Sequence, residues 1–151
     1  MKYAWLLPLL LLMTFCGKKA RPFTDLHIAT STDANEGKAL PFHVVPVDGE
    51  LFVRISSIKP EEWFVSELVE TTPGIQKRVF KGSGSNIIRV ERVDSKNNFL
   101  LIADFGNTDS VEAQRVYIGE KNWRDKSVYL LVTRDSIRVI DKQTYERQIT
   151  Q

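Results

Sequence analysis

The chain has 151 residues, room for one domain of ordinary size and little more. Hydrophobic residues make up 42% and charged residues 26%, the balance of a globular rather than a disordered chain. Lys and Arg number 21 against 19 Asp and Glu, too even for a protein that binds nucleic acid by neutralising phosphates; one Cys excludes an internal disulfide, and two His exclude a zinc cluster of the usual Cys/His spacing.

The first 15 residues read as a targeting segment. Lys2 supplies a positive start, and Ala4 to Met13 form an apolar run of ten residues interrupted by Pro8. A membrane span needs roughly 20 apolar residues, so the run predicts a secretory signal and not a permanent helix. The only Cys, Cys16, closes the run and is followed by Gly17, Lys18, Lys19 and Arg21. A lone Cys at that junction resembles a bacterial lipoprotein signal, with Phe15 standing where the pattern has a small residue. The resemblance implies cleavage before Cys16 and acylation of its thiol and new amino terminus. Several acyl chains at ~0.8 kcal/mol per buried methylene anchor stably where one does not. Gly17 in place of Asp resembles the sorting signal of outer-membrane lipoproteins. Residues 16–24 then form a short basic tether, able to lie near acidic head groups.

The rest reads mostly as strands. Residues 25–31 and 42–47 are β-rich, and Pro46 within the second argues for an edge strand or a bulge. Between them lies a polar turn with Asn35 and Gly37 as punctuators. Asp48-Gly49 signals a tight hairpin turn, and the alternation of Leu51, Val53 and Ile55 predicts a third strand. Lys59 to Leu68 predicts the single helix, with Pro60 at its first position, Glu61 and Glu62 in its first turn, and Phe64, Leu68 and Trp63 on its buried face. Residues 75–80, 86–93, 98–105, 111–118, 127–133 and 136–141 predict further strands at about ten-residue spacing. The expected fold is therefore mainly β: an antiparallel β-sandwich over residues 25–141, with one short helix. Residues 142–151 are expected to be a polar tail that frays.

Catalytic patterns are nearly absent. Ser56 and Lys59 make a Ser-x-x-Lys pair, and Ser95-Lys96-Asn97 imitates a second element of the β-lactamase set, but no Lys-Thr-Gly follows. A strand-to-helix connector is the plainer reading. Gly82-Ser83-Gly84-Ser85 lacks the Lys-Ser/Thr end of a phosphate loop and reads as a hairpin tip. His27 and His43, with Asp25 or Asp48, have metal-ligand chemistry, but strand alternation does not show that they share a face. Trp63 and Trp123 read as core. The expectation is no enzyme, no metal and no cofactor beyond the lipid on Cys16.

The segment Asp33-Ala34-Asn35-Glu36-Gly37-Lys38-Ala39-Leu40-Pro41-Phe42-His43-Val44-Val45 resembles the segment that opens TssJ-type lipoproteins of bacterial type VI secretion systems. The helical stretch Glu62 to Leu68, the strand Leu101-Ile102-Ala103-Asp104-Phe105 and the pair Trp123-Arg124 resemble later features of that family. Pro46-Val47-Asp48-Gly49 departs from it. The resemblance implies a transthyretin-like sandwich on the periplasmic face of the outer membrane. It also implies a non-enzymatic role: holding the periplasmic part of an inner-membrane subunit, TssM, in an envelope-spanning complex. The partner-binding loop it implies is Asp33, Ala34, Asn35, Glu36, Gly37, Lys38, Ala39 and Leu40. Alternatives are a pilotin or chaperone lipoprotein for a secretin, and a ligand-binding envelope lipoprotein. No nucleic acid or small-molecule substrate is expected.

Overall fold

A computed structural model describes residues 23–91, 96–123 and 126–150. The eight described strands form two four-stranded sheets that face each other. Sheet A runs in the order β4 (Gly84–Glu91), β1 (Phe23–Thr30), β7 (Val128–Val132), β8 (Ile137–Ile140). Sheet B runs β3 (Gln76–Phe80), β2 (Leu40–Val47), β5 (Asn98–Ala103), β6 (Arg115–Ile118). Among the described residues, every pair of neighbouring strands is antiparallel except β1 and β7. The β-sandwich expected from strand spacing is therefore the observed architecture.

Alternation on β1 explains the core. Leu26 and Ile28 point inward and are fully buried, and they meet Phe42, Val44, Phe99, Leu101, Leu130 and Trp123 from the other strands. Trp123 ends α4 (Glu120–Trp123), and its indole N–H donates to the carbonyl of Asn97 at 2.8 Å. Strands β2 and β5 lack such alternation, because both of their faces are covered. A second cluster, Val45, Val47, Leu100, Ile102, Leu51, Ile55, Trp63 and Val69, fills the space between the outer face of sheet B and a helical cap.

The cap differs from expectation. Residues 51–55 belong to α1 (Gly49–Ser56) and are not a strand. Asp48 is its N-cap and not a hairpin residue: one carboxylate oxygen accepts the Leu51 amide at 2.8 Å. Leu51 and Ile55 lie one helical turn apart and are buried, while Val53 is left 66% exposed, as a helix demands and a strand would not. The helix expected over Lys59 to Leu68 is broken into α2 (Pro60–Trp63) and α3 (Glu67–Thr71). Arg115 of β6 closes the cap, its guanidinium donating to the carbonyls of Ser56 and Ile58.

The C-terminal residues do not fray: α5 (Lys142–Ile149) is capped by Asp141, which accepts the Thr144 amide at 2.9 Å. Its Tyr145 is buried against His27 and Tyr129 on the outer face of sheet A, and its hydroxyl meets Ser85 Oγ. With α1 to α5, the described residues hold five short helices and not one. Pro46 sits in an interior strand, yet β3 reaches only as far as Val44, so β2 is locally an edge where the amide is missing. Among the described residues, no helix is long and apolar enough to cross a membrane.

Candidate docking site

Strand β1 leads away from the amino-terminal segment, and the link to β2 crosses from sheet A to sheet B at the opposite end of the sandwich. Gly84 opposes Thr30 and Val132 lies beside it, so the β3–β4 link and the β7–β8 turn come to the same end. The β5–β6 connection joins them there, since the Asp104 amide donates to the Pro41 carbonyl at 3.1 Å. The expected partner-binding loop thus stands among three other connections.

Its backbone is unusual. Asn35 and Glu36 take φ of 47° and 55°, and Gly37 takes 74°. Three successive left-handed residues form one tight turn, Ala34–Gly37, in which Gly37 is at home, Asn35 is tolerated and Glu36 is strained. What holds this turn is Asn35, only 5% exposed. Its amide donates to the Arg134 carbonyl (3.0 Å), and its side-chain nitrogen donates to the Ala39 carbonyl (2.8 Å). Its side-chain oxygen accepts the Gly106 amide at 3.3 Å. The Arg134 carbonyl also accepts from Asn107 Nδ2 (3.0 Å). Three connections are wired together at one buried residue, through its side chain and its backbone amide.

Above this hub the charges pair. Arg134 donates to one Glu36 oxygen at 2.9 Å, and Lys38 lies 3.3 Å from the other. Hydrogen bonds from Arg134 and then Lys38 hold the Glu36 carboxyl below its ordinary pKa. Of the eight loop residues, Ala34, Asn35 and Leu40 are buried and serve the sandwich; Asp33, Glu36, Gly37, Lys38 and Ala39 face solvent. Arg134 and Asn107 were not legible as members of this site. Thr133 to Ser136 reads only as a turn between strands, and nothing local says that it meets a loop 98 residues away.

The other candidates separate. His27 points outward from sheet A and stacks on Tyr129 at 4.9 Å, whereas His43 points outward from sheet B, beneath the cap. They lie on opposite sides of the sandwich, Asp25 pairs with Arg89, and Asp48 caps α1. Among the described residues no three His, Cys, Asp or Glu side chains are placed to hold a metal. His43 accepts the Trp63 indole N–H at Nδ1, 3.2 Å away, which leaves its own proton on Nε2. Burial first, and the Lys77 charge second, push its pKa down to about 4 against the opposing charge of Glu70. Ser56 ends α1 while Lys59 precedes α2, so they do not share a helix face. The Gly82 segment links sheet B to sheet A and is not a hairpin tip. Trp63 and Trp123 are fully buried in the two cores. Cys16 and Ser95 lie outside the described residues.

Neither a protein-family profile nor a curated protein sequence matches the chain. Solved structures do. One, named for the type VI secretion protein TssM C-terminal domain (869–1107) from EAEC, matches with a TM-score of 0.64 and 14% identity over 79% of this chain and 98% of that one. The Lip protein of Serratia marcescens, described as a membrane-bound component of the type VI secretion system, gives 0.64 and 10% over 80% and 97%. The type VI lipoprotein TssJ1 from Pseudomonas aeruginosa gives 0.59 and 10% over 78% and 94%. At such identities the likeness establishes a shared fold, one that spans nearly the whole of each of these chains.

Proposed function

We propose that the chain is a TssJ-like, non-enzymatic lipoprotein of a type VI secretion membrane complex. A lipid on Cys16 holds it in the outer membrane, facing the periplasm, and its loop end binds the periplasmic part of a TssM-like inner-membrane subunit. The observation that carries this reading is the placement of the loop. Seven residues lead from Cys16 to Phe23, a reach of about 24 Å at full extension. Strand β1 adds eight residues, about 26 Å, before the loop begins. The exposed turn is thus at the far end of the sandwich from the residue that a lipid on Cys16 would tie to the leaflet. Exposed connections on a rigid scaffold are where binding residues concentrate.

The structural neighbours support the partner. The chain matched in the structure named for TssM is almost wholly covered by 79% of these 151 residues. It is therefore about half as long as the span 869–1107, a sandwich of this size in a structure named for TssM. A secretin-escorting role would need an apolar groove for a peptide. The concavity of about 450 Å³ at the loop end is no uniformly apolar groove: it mixes Ser31, Thr32, Ser83 and Ser85 with Leu131 and Ile149.

Three measurements test the proposal. Mass spectrometry of the membrane-extracted protein is expected to find Cys16 acylated and amino-terminal. Cys16→Ser is expected to move the folded domain into the soluble fraction. The purified domain is expected to retain the periplasmic domain of the host's TssM-like subunit on a column. A bare thiol removes the anchor, and failure to retain that domain removes the docking role.

A further inference from the structure

The docking reading names a loop; the geometry points to something more specific, which rests on that reading. We infer that the contact is a preformed composite of two turns, Asp33–Lys38 and Thr133–Ser136, with Asn35 as its positioning residue and the Glu36–Arg134 ion pair read directly by the partner.

The order of the turn comes first. A flexible recognition loop leaves its polar groups to water and takes shape on binding. Here the amides of Asn35, Glu36 and Lys38 are all bonded, to the carbonyls of Arg134, Asp33 and Asn35. The Asn35 side chain spends both its nitrogen and its oxygen inside the protein. The strained φ of Glu36 persists because Asn35 before it is held from two other connections and its own carboxylate is held by Arg134. A preformed shape spares the partner the ordering cost, which is how rigid loops gain affinity.

The ion pair comes second. Glu36 and Arg134 are brought together from 98 residues apart, and the side chain of Arg134 remains 63% exposed. An exposed pair of this kind adds little to folding. On a protein surface it presents an acid and a base at fixed spacing, to which a partner answers with charges in the reverse order. The fitting partner is therefore a folded face that sets a basic side chain against Glu36 and acidic ones against its flanking Arg134 and Lys38, not a uniformly charged tail.

The test uses the whole domain, the periplasmic domain of the host's TssM-like subunit as probe, and hydrogen exchange at the amides of Glu36 and Lys38. Asn35→Gly keeps the left-handed backbone accessible but deletes both side-chain bonds. It is expected to speed exchange at those amides and weaken probe binding by about tenfold. E36R and R134E are each expected to weaken binding. The double swap re-forms the pair in reverse, so amide protection is expected to match that of the unaltered domain while binding stays weak. Recovery of binding in the double swap would show that the pair serves only the fold and would overturn its role in contact. Unchanged affinity in Asn35→Gly despite fast exchange would overturn the preformed turn. Loss of the docking reading itself looks different: the unaltered domain then fails to bind the probe.

Discussion

The buried His43 makes the stability of the cap depend on pH in a defined direction. Its ring is 7% exposed, it accepts the Trp63 indole N–H, and its pKa falls from 6.5 to about 4, chiefly through burial. In the unfolded chain the imidazole takes its proton near pH 6.5; in the folded protein it refuses until about 4. Between these values the unfolded state binds more protons, so stability rises with pH across this window. The contribution is fully present above pH 6.5 and lost as pH falls to about 4. At about 1.4 kcal/mol per pH unit, the loss reaches about 3 kcal/mol. His43→Gln keeps an acceptor for Trp63 and removes the titration. Urea unfolding followed by tryptophan fluorescence at pH 7.5, 6, 5 and 4 measures both proteins. The depressed carboxyls of Glu36, Glu70 and Asp141 add their own acid loss, and the raised carboxyl of Asp104 opposes it; these cancel in the comparison except for the smallest part of the Glu70 shift, which the His43 charge itself supplies. The variant is expected to lose about 3 kcal/mol less than the parent between pH 7.5 and 4. Parallel curves would refute the assignment of a buried, neutral His43.

Three further outcomes follow from single contacts. Arg115→Ala leaves the carbonyls of Ser56 and Ile58 without their guanidinium and is expected to cost about 2 kcal/mol in urea unfolding, with earlier proteolysis in residues 49–72. Tyr145→Ala removes the aromatic anchor of α5, with an expected loss of about 3 kcal/mol and early cleavage after Asp141. Asp48→Ala deletes the cap of α1 and is expected to lower stability by about 1 kcal/mol, while Asp48→Asn retains most of it in the same thermal melt.

The parts of the fold that were legible are those governed by local pattern. Alternation on 25–31 and the apolar runs within 98–105 and 127–133 mark strands, observed at Phe23–Thr30, Asn98–Ala103 and Val128–Val132, because their burial repeats every residue or every second residue. Leu51 to Ile55 reads as a strand because an eight-residue helix shows only two turns, and Leu51, Val53 and Ile55 imitate period two over that length. The better signal was polar: Asp48 before the run, Glu50 in the first turn and Arg54 in the last, the charge order a helix favours. The same kind of signal, Asp141 three residues before Thr144, marked α5 within a stretch whose composition suggests a tail. The loop was found by its Asn and Gly, but its wiring was not. Asn35 meets Gly106 and Arg134 only because sheet order brings four connections to one end, and sheet order is not written in any local window.

That topology also explains why the loop is suited to transmit a load. Its two flanking strands belong to different sheets, so the loop spans a gap of about 10 Å between layers and does not merely cap a hairpin. Each flank is fixed independently. On one side, β1 lies between β4 and β7 in the interior of sheet A. On the other, β2 lies between β3 and β5, with Phe42 to Val47 buried by the inner core and the helical cap together. Pulling on the turn therefore works against two cores at once, through strands that cannot slide without exposing apolar side chains at roughly 25 cal/mol per Å². A hairpin tip on one sheet edge would instead unzip a single ladder from its end. For a body proposed to be tied at one end to a lipid leaflet and at the other to a protein, the inter-sheet link is the stiffer place to attach, and in this sandwich it is the place where Asn35, Glu36 and Arg134 are held.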